Sequence, residues 1–372
     1  MSHKHRSLLK VFQNLVSTRP GEKVILVPNG AEYEEIKFQD LDLIINKYVN
    51  YWNKQLENEN LKKNSVIGYL SQSGPEYLYN IMALWKLGFT ILFLSPRNSE
   101  TALIHLIQEA KSRIIIYDPK LLKTSKNVQN EINSQYTQTL NIFQQPNNLK
   151  NEQINHFAPV LKLNDPENTI AIFHSSGSIS FSKLIPISRF IFNMDAIEKA
   201  DDIIVSTAPI FHAYGVIVLI RVIVNPGHFQ SSQDQFLYIE QIHKDRPDEI
   251  NALLKLKAIH YVGAPLSPKV GEQLTQSGVK IHNAYELIEA GTIINDIVDG
   301  AKELVIKKGS PNLAFIKGEM ENDDYKIDDL NSKREKTNPI PIEDTIRYNE
   351  FVKHAVIVGH NRPFNCNIFN PS

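Results

Sequence analysis

The stretch SVIGYLSQSGPEYLYNIMALWKLGFTILFL, residues 65–94, decides the fold class of this chain. Its two ends, SVIGYL (65–70) and FTILFL (89–94), are apolar at nearly every position. Short runs of this kind are typical of strands that are buried on both faces. The segment between them has helical spacing, so the stretch predicts a strand–helix–strand unit.

The ends of the predicted helix are marked by residues with terminal preferences. Ser73 and Glu76 have the spacing of a capping box, and Pro75 suits the first turn. Gly88 is a natural stop, because glycine adopts the left-handed conformation that often follows a helix. The apolar face of this helix consists of Leu78, Ile81, Met82 and Trp85.

The pattern continues with a helix, SETALIHLIQEA (99–110), and a third strand, RIIIYD (113–118). A β-α-β-α-β order with strands that are apolar on both faces predicts a parallel sheet covered by helices, and hence an α/β fold. Loops such as SPRN (95–98) are then expected at the carboxyl ends of the strands, where open α/β sheets bind ligands.

Farther along, polar segments alternate with ordered ones. Residues 118–155 are rich in Asn and Gln and weakly periodic, so we expect a surface insertion that is partly disordered. Beyond about residue 318 the composition becomes charged, which predicts a linker into a small C-terminal piece. Further elements are predicted as strands at 169–173, 183–188, 258–263, 279–283 and 354–359, and as helices at 189–200 and after Ser267–Pro268.

The composition argues against several classes of protein. The 372 residues carry a net charge of −1, so no charge excess favours nucleic acid or an anionic membrane. The single cysteine, Cys366, allows no internal disulfide. The run GVIVLIRVIV (215–224) is too short to span a bilayer and contains Arg221, and the opening residues lack the apolar segment of a signal peptide. We expect a cytoplasmic protein with no membrane span and no nucleic-acid partner.

The stretch HSSGSISFSKLI (174–185) has the composition of a phosphate-binding loop. Such a loop needs small side chains, inward-facing backbone N–H groups and a cation, and here the hydroxyl groups and Lys183 meet those needs. The strict Walker pattern is absent, because no second glycine precedes the lysine. Taken by itself, the stretch fits a phosphate loop and a serine-rich strand connection equally well.

Other segments follow in a set order along residues 20–360. They are APIFHAYG (208–215), VGAPLSPKVGEQL (262–274) and NAYELIEAGTI (283–293). Together with TIAIFHSSGSISFSKLIPIS (169–188), they resemble the motifs of the AMP-forming, or adenylate-forming, ligase superfamily of acyl- and aryl-CoA synthetases and peptide-synthetase adenylation domains. FLSPRNSETALIHLI (93–107) and EKTNPIPIEDTIR (335–347) are similar to its fungal reductase-like subgroup.

The resemblance implies a fold and a reaction. Residues 1–332 would form the large N-terminal adenylation domain of stacked mixed and parallel sheets with helices, and residues 333–372 a truncated remnant of the small α+β C-terminal domain. The family joins a small-molecule carboxylate to the α-phosphate of ATP, with Mg²⁺, and releases pyrophosphate. The acyl group then usually passes to the thiol of CoA or of a phosphopantetheine arm.

The resemblance also implies roles for individual residues. Lys183, Glu289 and His212 would be the catalytic residues, with Glu289 holding Mg²⁺ and His212 at the wall of the acyl site. The phosphates would be bound by Lys183 together with Ser175, Ser176, Gly177 and Ser178. The rest of the nucleotide and acyl pocket would be formed by Gly263, Ala264, Pro265, Tyr285 (stacked on adenine) and Asp329 (on the ribose hydroxyls).

Each role has a structural alternative. Lys183 also fits a solvated surface position, Glu289 a local cap or ion pair, and Tyr285 an ordinary core position. His212 follows a phenylalanine in an apolar region and also fits a buried, hydrogen-bonded structural histidine. Arg97 of the SPRN loop fits a surface or helix-cap position, or one that faces phosphate.

The chain departs from the family pattern in the phosphate and magnesium motifs, at Ile179, Ser180, Ser182, Glu286 and Ile288. It also stops before the position of the family's late lysine, and the segment between Gly215 and Gly263 is short. Losing one preorganised donor commonly costs about 10²–10³ in rate. Three hypotheses follow: a weak, divergent adenylating enzyme, a pseudoenzyme that binds a nucleotide or acyl ligand, or a truncated remnant without activity.

Overall fold

The computed structural model describes the chain in sixteen segments: 8–29, 32–137, 139–152, 169–174, 183–188, 203–206, 208–224, 228–231, 247–257, 259–262, 268–287, 291–294, 305–306, 325–326, 352–358 and 366–371. The chain divides into two units. The first contains Met1–Ser175 and Phe181–Phe236, and the second contains Ser176–Ser180 and Leu237–Ser372.

The first unit alternates strands and helices. It also contains two short 3₁₀ turns: Pro119–Leu121 directly precedes the helix at Leu122–Gln135, and Leu149–Asn151 follows the strand at Asn141–Gln144. In chain order its elements are α1 (Leu8–Thr18), β1 (Lys23–Asn29), β2 (Glu32–Lys37), α2 (Phe38–Gln55), β3 (Val66–Leu70), α3 (Pro75–Lys86), β4 (Thr90–Leu94), α4 (Glu100–Glu109), β5 (Ile114–Tyr117), α5 (Leu122–Gln135), β6 (Asn141–Gln144), β7 (Thr169–His174), β8 (Leu184–Ser188), β9 (Ile203–Ser206), α6 (Ala213–Val224) and β10 (His228–Ser231).

A six-stranded sheet in the order β6-β5-β3-β4-β7-β8 forms the centre of this unit. Five of its strands are parallel, and only the edge strand β8 runs antiparallel, to β7. The parallel α/β sheet predicted from the opening stretch is therefore confirmed. The strands predicted at 169–173 and 183–188 correspond to β7 and β8 and extend this sheet.

Both faces of the sheet are covered, as the apolar composition of its strands requires. Leu70 and Leu92 share one core with apolar residues of α4 and α5. On the opposite face, the ring of Tyr77 from α3 packs edge-on against Tyr69 and stacks on Phe93. Because successive strand residues point to opposite faces, each strand contributes to both cores.

Helix α3 follows the sequence prediction at two points and departs from it at one. Pro75 is its first residue, and Gly88 adopts a left-handed φ of 86° just after its end, as expected. The predicted capping box was wrong, because the N-cap is Gly74 and no side chain caps the helix. Ser73 lies one residue too early to cap, and its hydroxyl instead accepts a hydrogen bond from the Ile210 amide at 2.8 Å.

The prediction of a partly disordered insertion at 118–155 was wrong for the part that the structure describes, residues 118–137 and 139–152. This segment forms α5 and the edge strand β6, which pairs in parallel with β5. Val128 and Ile132, one helical turn apart, are buried against the sheet together with Leu140. A helix that covers the end of a sheet needs only this narrow apolar stripe, which a polar composition obscures.

A second sheet of the first unit has the order β2-β1-β10-β9. Strand β1 is antiparallel to β2 and parallel to β10, and β10 is parallel to β9. The apolar run at 215–224 lies in α6, whose described side chains are largely buried. Within the described segments, every helix is too short or too polar to span a bilayer.

The described residues of the second unit form a three-stranded sheet, two separate strand pairs and two helices. In chain order the elements are α7 (Pro247–Leu254), β11 (Ile259–Val262), α8 (Pro268–Gln276), β12 (Ile281–Leu287), β13 (Gly291–Ile294), β14 (Val305–Ile306), β15 (Tyr325–Lys326), β16 (Val352–Val358) and β17 (Cys366–Pro371). Strands β11 and β12 are parallel, β12 and β13 are antiparallel, and the pairs β14–β15 and β16–β17 are antiparallel.

Most predictions for the second unit agree with these elements. The strands predicted at 258–263, 279–283 and 354–359 overlap β11, β12 and β16, and the helix after Ser267–Pro268 is α8. In the first unit, the helix predicted at 189–200 lies outside the described residues. The domain boundary near residue 333 remains a prediction.

A buried lysine joins the helices on one face of the central sheet. The Lys86 side chain at the end of α3 is only 2 % exposed, and its ammonium group lies 2.6 Å from a carboxylate oxygen of Asp42 in α2. Asn46 accepts a second hydrogen bond from it at 2.9 Å, and the ring of Phe12 from α1 lies 5.8 Å away. This ammonium group therefore holds α1, α2 and α3 together.

We expect Asp42→Ala to lower the free energy of unfolding by about 1–3 kcal/mol, because it leaves the buried ammonium without its anionic partner. Lys86→Met should cost less, because it removes the charge and keeps an apolar chain of similar length. Urea denaturation of the two variants measures both effects. A larger loss for Lys86→Met than for Asp42→Ala would contradict this account of the pair.

Gly215 allows the start of α6 to pack closely against the preceding turn. A Cβ atom at this position would collide with the carbonyl group of Pro209. That carbonyl oxygen also accepts a hydrogen bond of 3.0 Å from the His212 amide. The glycine therefore permits the tight turn at residues 209–212.

We expect Gly215→Ala to destabilise the protein by about 1–3 kcal/mol, since backbone atoms must move to admit the methyl group. The matched control is Gly21→Ala, because a Cβ at Gly21 meets no atom within 4 Å. Thermal unfolding of both variants checks the difference. Equal melting temperatures for the two variants would show that the turn adapts without cost.

Candidate functional site

We expect a crevice at the carboxyl ends of β4 and β7, because the chain leaves these two neighbouring strands towards opposite edges of the sheet. After β4 the chain passes β3 and forms β5, towards one edge of the sheet. After β7 it forms β8, at the other edge. Open α/β sheets bind ligands at such switch points. Asn98, in the loop after β4, lies here with its side-chain nitrogen 3.3 Å from Nε2 of His174, the last residue of β7.

The turn at residues 209–212 joins this edge of the sheet from another part of the chain. Ile210 and Phe211 are buried, with 4 % of each residue exposed. The Ile210 amide donates the hydrogen bond of 2.8 Å to the Ser73 hydroxyl, in the loop after β3. The turn is therefore attached to the carboxyl end of β3 as well as to the start of α6.

Arg97 connects the turn to the loop after β4. Its guanidinium carbon lies 5.7 Å from the centre of the Phe211 ring, in the range of a cation–π contact. Its backbone is fixed by a hydrogen bond of 3.2 Å from its amide to the Ser95 hydroxyl. The side chain is exposed, which agrees with the predicted surface position, but the ring contact was not predicted.

His212 carries an imidazole at the mouth of this crevice. The pKa of His212 is lowered to about 4, first because burial disfavours the charged form, and then because His174 and Arg97 repel it. Solvent reaches the side chain, which limits the effect of burial, but both neighbours act in the same direction. The imidazole is therefore neutral at pH 7 and has one nitrogen to donate and one to accept a hydrogen bond.

These side chains form one group at the edge of the sheet, which we call the carboxyl-edge cluster: Ser73, Arg97, Asn98, His174, Phe211 and His212. It presents a guanidinium group, two imidazoles and an amide at the carboxyl ends of β4 and β7. Such groups suit an anionic ligand, because they are positively charged or donate hydrogen bonds.

Lys183 lies just before β8, the strand that pairs with the end of β7 at His174 of this cluster. It is exposed and directly precedes Leu184, which pairs with His174 across β7 and β8. Both ends of the predicted phosphate loop therefore lie at the carboxyl end of β7. The loop itself, with Ser175, Ser176, Gly177 and Ser178, lies outside the described residues.

The remaining predicted site residues belong to the second unit. Tyr285 lies in β12 opposite Ile294, and Glu286 lies opposite Thr292. Gly263, Ala264, Pro265, Glu289 and Asp329 lie outside the described residues, so their roles remain predictions. Within the described part of the chain, no group of three or more His, Cys, Asp or Glu side chains could hold a metal ion.

The sequence did not predict Asn98, His174 or the role of Ser73 as parts of the cluster. A partial signal existed, because the SPRN loop was expected at the carboxyl end of its strand, and Asn98 is its last residue. His174 begins the serine-rich stretch, whose composition predicts no separate role for it. The pairing of β4 with β7, which brings these two residues together, leaves no local pattern.

The lowered pKa of His212 predicts a loss of stability in mild acid. Between about pH 6.5 and pH 4 the unfolded chain binds a proton at this histidine that the folded chain does not, so the free energy of unfolding falls as the pH falls. We expect His212→Gln to make this fall shallower. Urea denaturation of both proteins from pH 7.5 to pH 4 measures it, and parallel curves would contradict the shifted pKa.

Comparison with known sequences identifies the family. Residues 12–228 match the family described as AMP-binding enzyme, and residues 330–372 match the AMP-binding enzyme C-terminal domain. A non-canonical non-ribosomal peptide synthetase of Acremonium egyptiacum is 24% identical over 280 residues, which is 63% of this chain and 24% of that protein. An adenylate-forming reductase of Stachybotrys bisbyi is 22% identical over 282 residues, 63% of this chain and 25% of that protein. The chain thus matches about a quarter of the length of these two relatives.

The fold agrees with the same assignment. A long-chain-fatty-acid-CoA ligase of Archaeoglobus fulgidus has a TM-score of 0.66 and 12% sequence identity, over 100% of this chain and 92% of that one. This likeness shows the fold of adenylate-forming ligases, which the sequence analysis predicted. Since the matched region at residues 12–228 covers more than half of the chain, this protein belongs to the AMP-binding enzyme family.

Proposed function

We propose that this chain activates a small-molecule carboxylate as an acyl adenylate. In this reaction a carboxylate oxygen attacks the α-phosphorus of ATP, the bond between the α-phosphorus and the bridging oxygen breaks, and pyrophosphate leaves. The observation that carries the proposal is the carboxyl-edge cluster, where anion-binding groups from three chain segments meet at a switch point of the sheet.

His212 suits the carboxylate side of this reaction. Its neutral imidazole can donate one hydrogen bond to a carboxylate oxygen without transferring a proton. A carboxylate that attacks phosphorus must stay ionised, and the nearby guanidinium of Arg97 favours its charged form. The pair therefore orients an anionic nucleophile at the mouth of the crevice.

Lys183 suits the phosphate side. Its position beside the end of β7 lets its ammonium group offset charge on the β- and γ-phosphates, which increases as pyrophosphate leaves. We include the loop residues Ser175, Ser176, Gly177 and Ser178 in this role on the resemblance alone. Mg²⁺ would add charge neutralisation on ATP, with Glu289 as its proposed ligand.

The partners that we propose are those that the family resemblance implies. We propose ATP with Mg²⁺ and a small-molecule carboxylate as substrates, and the thiol of CoA or of a phosphopantetheine arm as the acyl acceptor. Gly263, Ala264, Pro265, Tyr285 and Asp329 remain the proposed contacts to the nucleotide and the acyl group.

A second candidate is a pseudoenzyme that binds a nucleotide or acyl ligand without turnover. The altered motif residues favour it, because Ile179 removes a hydroxyl donor and Glu286 adds negative charge where the family binds triphosphate. This candidate retains the binding groups of the cluster and loses only the chemical step. Measurements of turnover and of binding therefore separate the two candidates.

Carboxylate-dependent exchange of labelled pyrophosphate into ATP tests the proposal directly. We expect exchange with at least one member of a panel of fatty, aryl and amino acids. Lys183→Ala should reduce it by about 10²-fold or more, because the variant removes the cation from the phosphates. The matched control is Lys63→Ala, an exposed lysine before the amino end of β3, which should leave exchange unchanged.

Absence of exchange in folded protein would overturn the enzymatic proposal. Binding of Mg-ATP, measured by calorimetry on the same sample, then separates the two non-catalytic hypotheses. Saturable binding that Lys183→Ala weakens would support the pseudoenzyme. Equal exchange by wild type and Lys183→Ala would remove Lys183 from the phosphate site.

A further inference from the structure

We infer that Ser73 is a positioning residue for carboxylate activation: its hydroxyl fixes the turn at residues 209–212 and so holds Phe211 and His212 in the crevice at the ends of β4 and β7. The inference rests on the proposed function. The sequence assigns Ser73 to a capping box, so this role follows only from the folded structure.

The geometry shows that Ser73 does not cap helix α3. Helix α3 begins at Pro75 after the N-cap Gly74, and no side chain caps it. The Ser73 hydroxyl instead accepts the Ile210 amide at 2.8 Å, a good hydrogen-bond distance. Its oxygen therefore serves another part of the chain and not its own helix.

The hydrogen bond holds a buried residue of the turn. Ile210 has only 4 % of the residue exposed, whereas Ser73 is exposed and the bond itself is partly buried, so water replaces a lost acceptor only in part. The next two residues are Phe211, which stacks under Arg97, and His212, which bears the imidazole of the crevice. A shift of the Ile210 amide therefore moves both side chains.

Three of the described features restrain this turn from outside it, and each comes from a different segment. Gly215 allows the close approach of α6 to Pro209, and Arg97 covers the Phe211 ring. Ser73 supplies the contact to the loop after β3, at the carboxyl end of the central sheet. Without it the turn keeps its attachment to α6 but loses its hydrogen bond to that loop.

Ser73→Ala, Ser73→Thr and Ser65→Ala in the full chain test the inference. Threonine keeps the hydroxyl acceptor. Ser65 is the matched control, because its hydroxyl also accepts a backbone amide, that of Lys62 at 3.0 Å, but at the amino end of β3. If Ser73→Ala is unfolded at the assay temperature, Ser73→Cys replaces it, since sulfur is only a weak acceptor.

The first readout needs no activity. The NMR titration of His212 in histidine-labelled protein is assigned by comparison with His212→Gln. We expect the midpoint in Ser73→Ala to rise towards the ordinary histidine value of about 6.5, because the displaced ring leaves its positive and desolvating neighbours. Ser73→Thr and Ser65→Ala should keep the wild-type midpoint.

The second readout is pyrophosphate exchange. We expect Ser73→Ala to lower kcat/KM for the carboxylate by about tenfold to a hundredfold, while KM for ATP changes by less than about twofold. A wild-type midpoint and wild-type kinetics in folded Ser73→Ala would overturn the inference. If wild-type protein shows no exchange, the proposed function fails, and the His212 titration alone decides whether Ser73 positions the turn.

Discussion

The parallel pairing of β4 with β7 is the constraint on which the candidate site depends. These strands are distant in the sequence, and Ile91 lies opposite Ala171 and Leu92 opposite Ile172. Side chains reinforce the pairing, because the Trp85 indole donates to the Ile170 carbonyl at 2.8 Å and the Thr90 hydroxyl to the Thr169 carbonyl at 2.7 Å. Only with this pairing does the loop after β4 reach the end of β7.

The polar edge of the sheet is supported by an apolar interior. The aromatic rings of Tyr69, Tyr77, Phe93 and Phe173 form a continuous series of contacts across three strands and α3. Because such an interior is closely packed, the strand ends have fixed positions. The short loop that carries Arg97 and Asn98 therefore starts from a fixed strand end.

The sequence predicted the central fold well because its signal is local. Strands that are apolar on both faces, separated by amphipathic helices, have few other ways to bury their surface. Prediction failed where only a few residues carried the pattern, or where one pattern fits two different structures. Helix α5 needs only Val128 and Ile132 as its buried stripe, so a polar composition hid it. Ser73 fits a capping box in spacing, but the helix begins at Pro75 and leaves its hydroxyl to the Ile210 amide.

By itself, the sequence determined the α/β class, the order of most elements and the resemblance to adenylate-forming ligases, because periodicity and motif spacing are properties of neighbouring residues. Lys183 and His212 were among its candidate residues for the same reason. The tertiary structure alone decided that Asn98 meets His174, that Arg97 covers Phe211 and that Ser73 holds the turn before α6. These contacts join residues far apart in the chain, and their positions follow from strand order and packing.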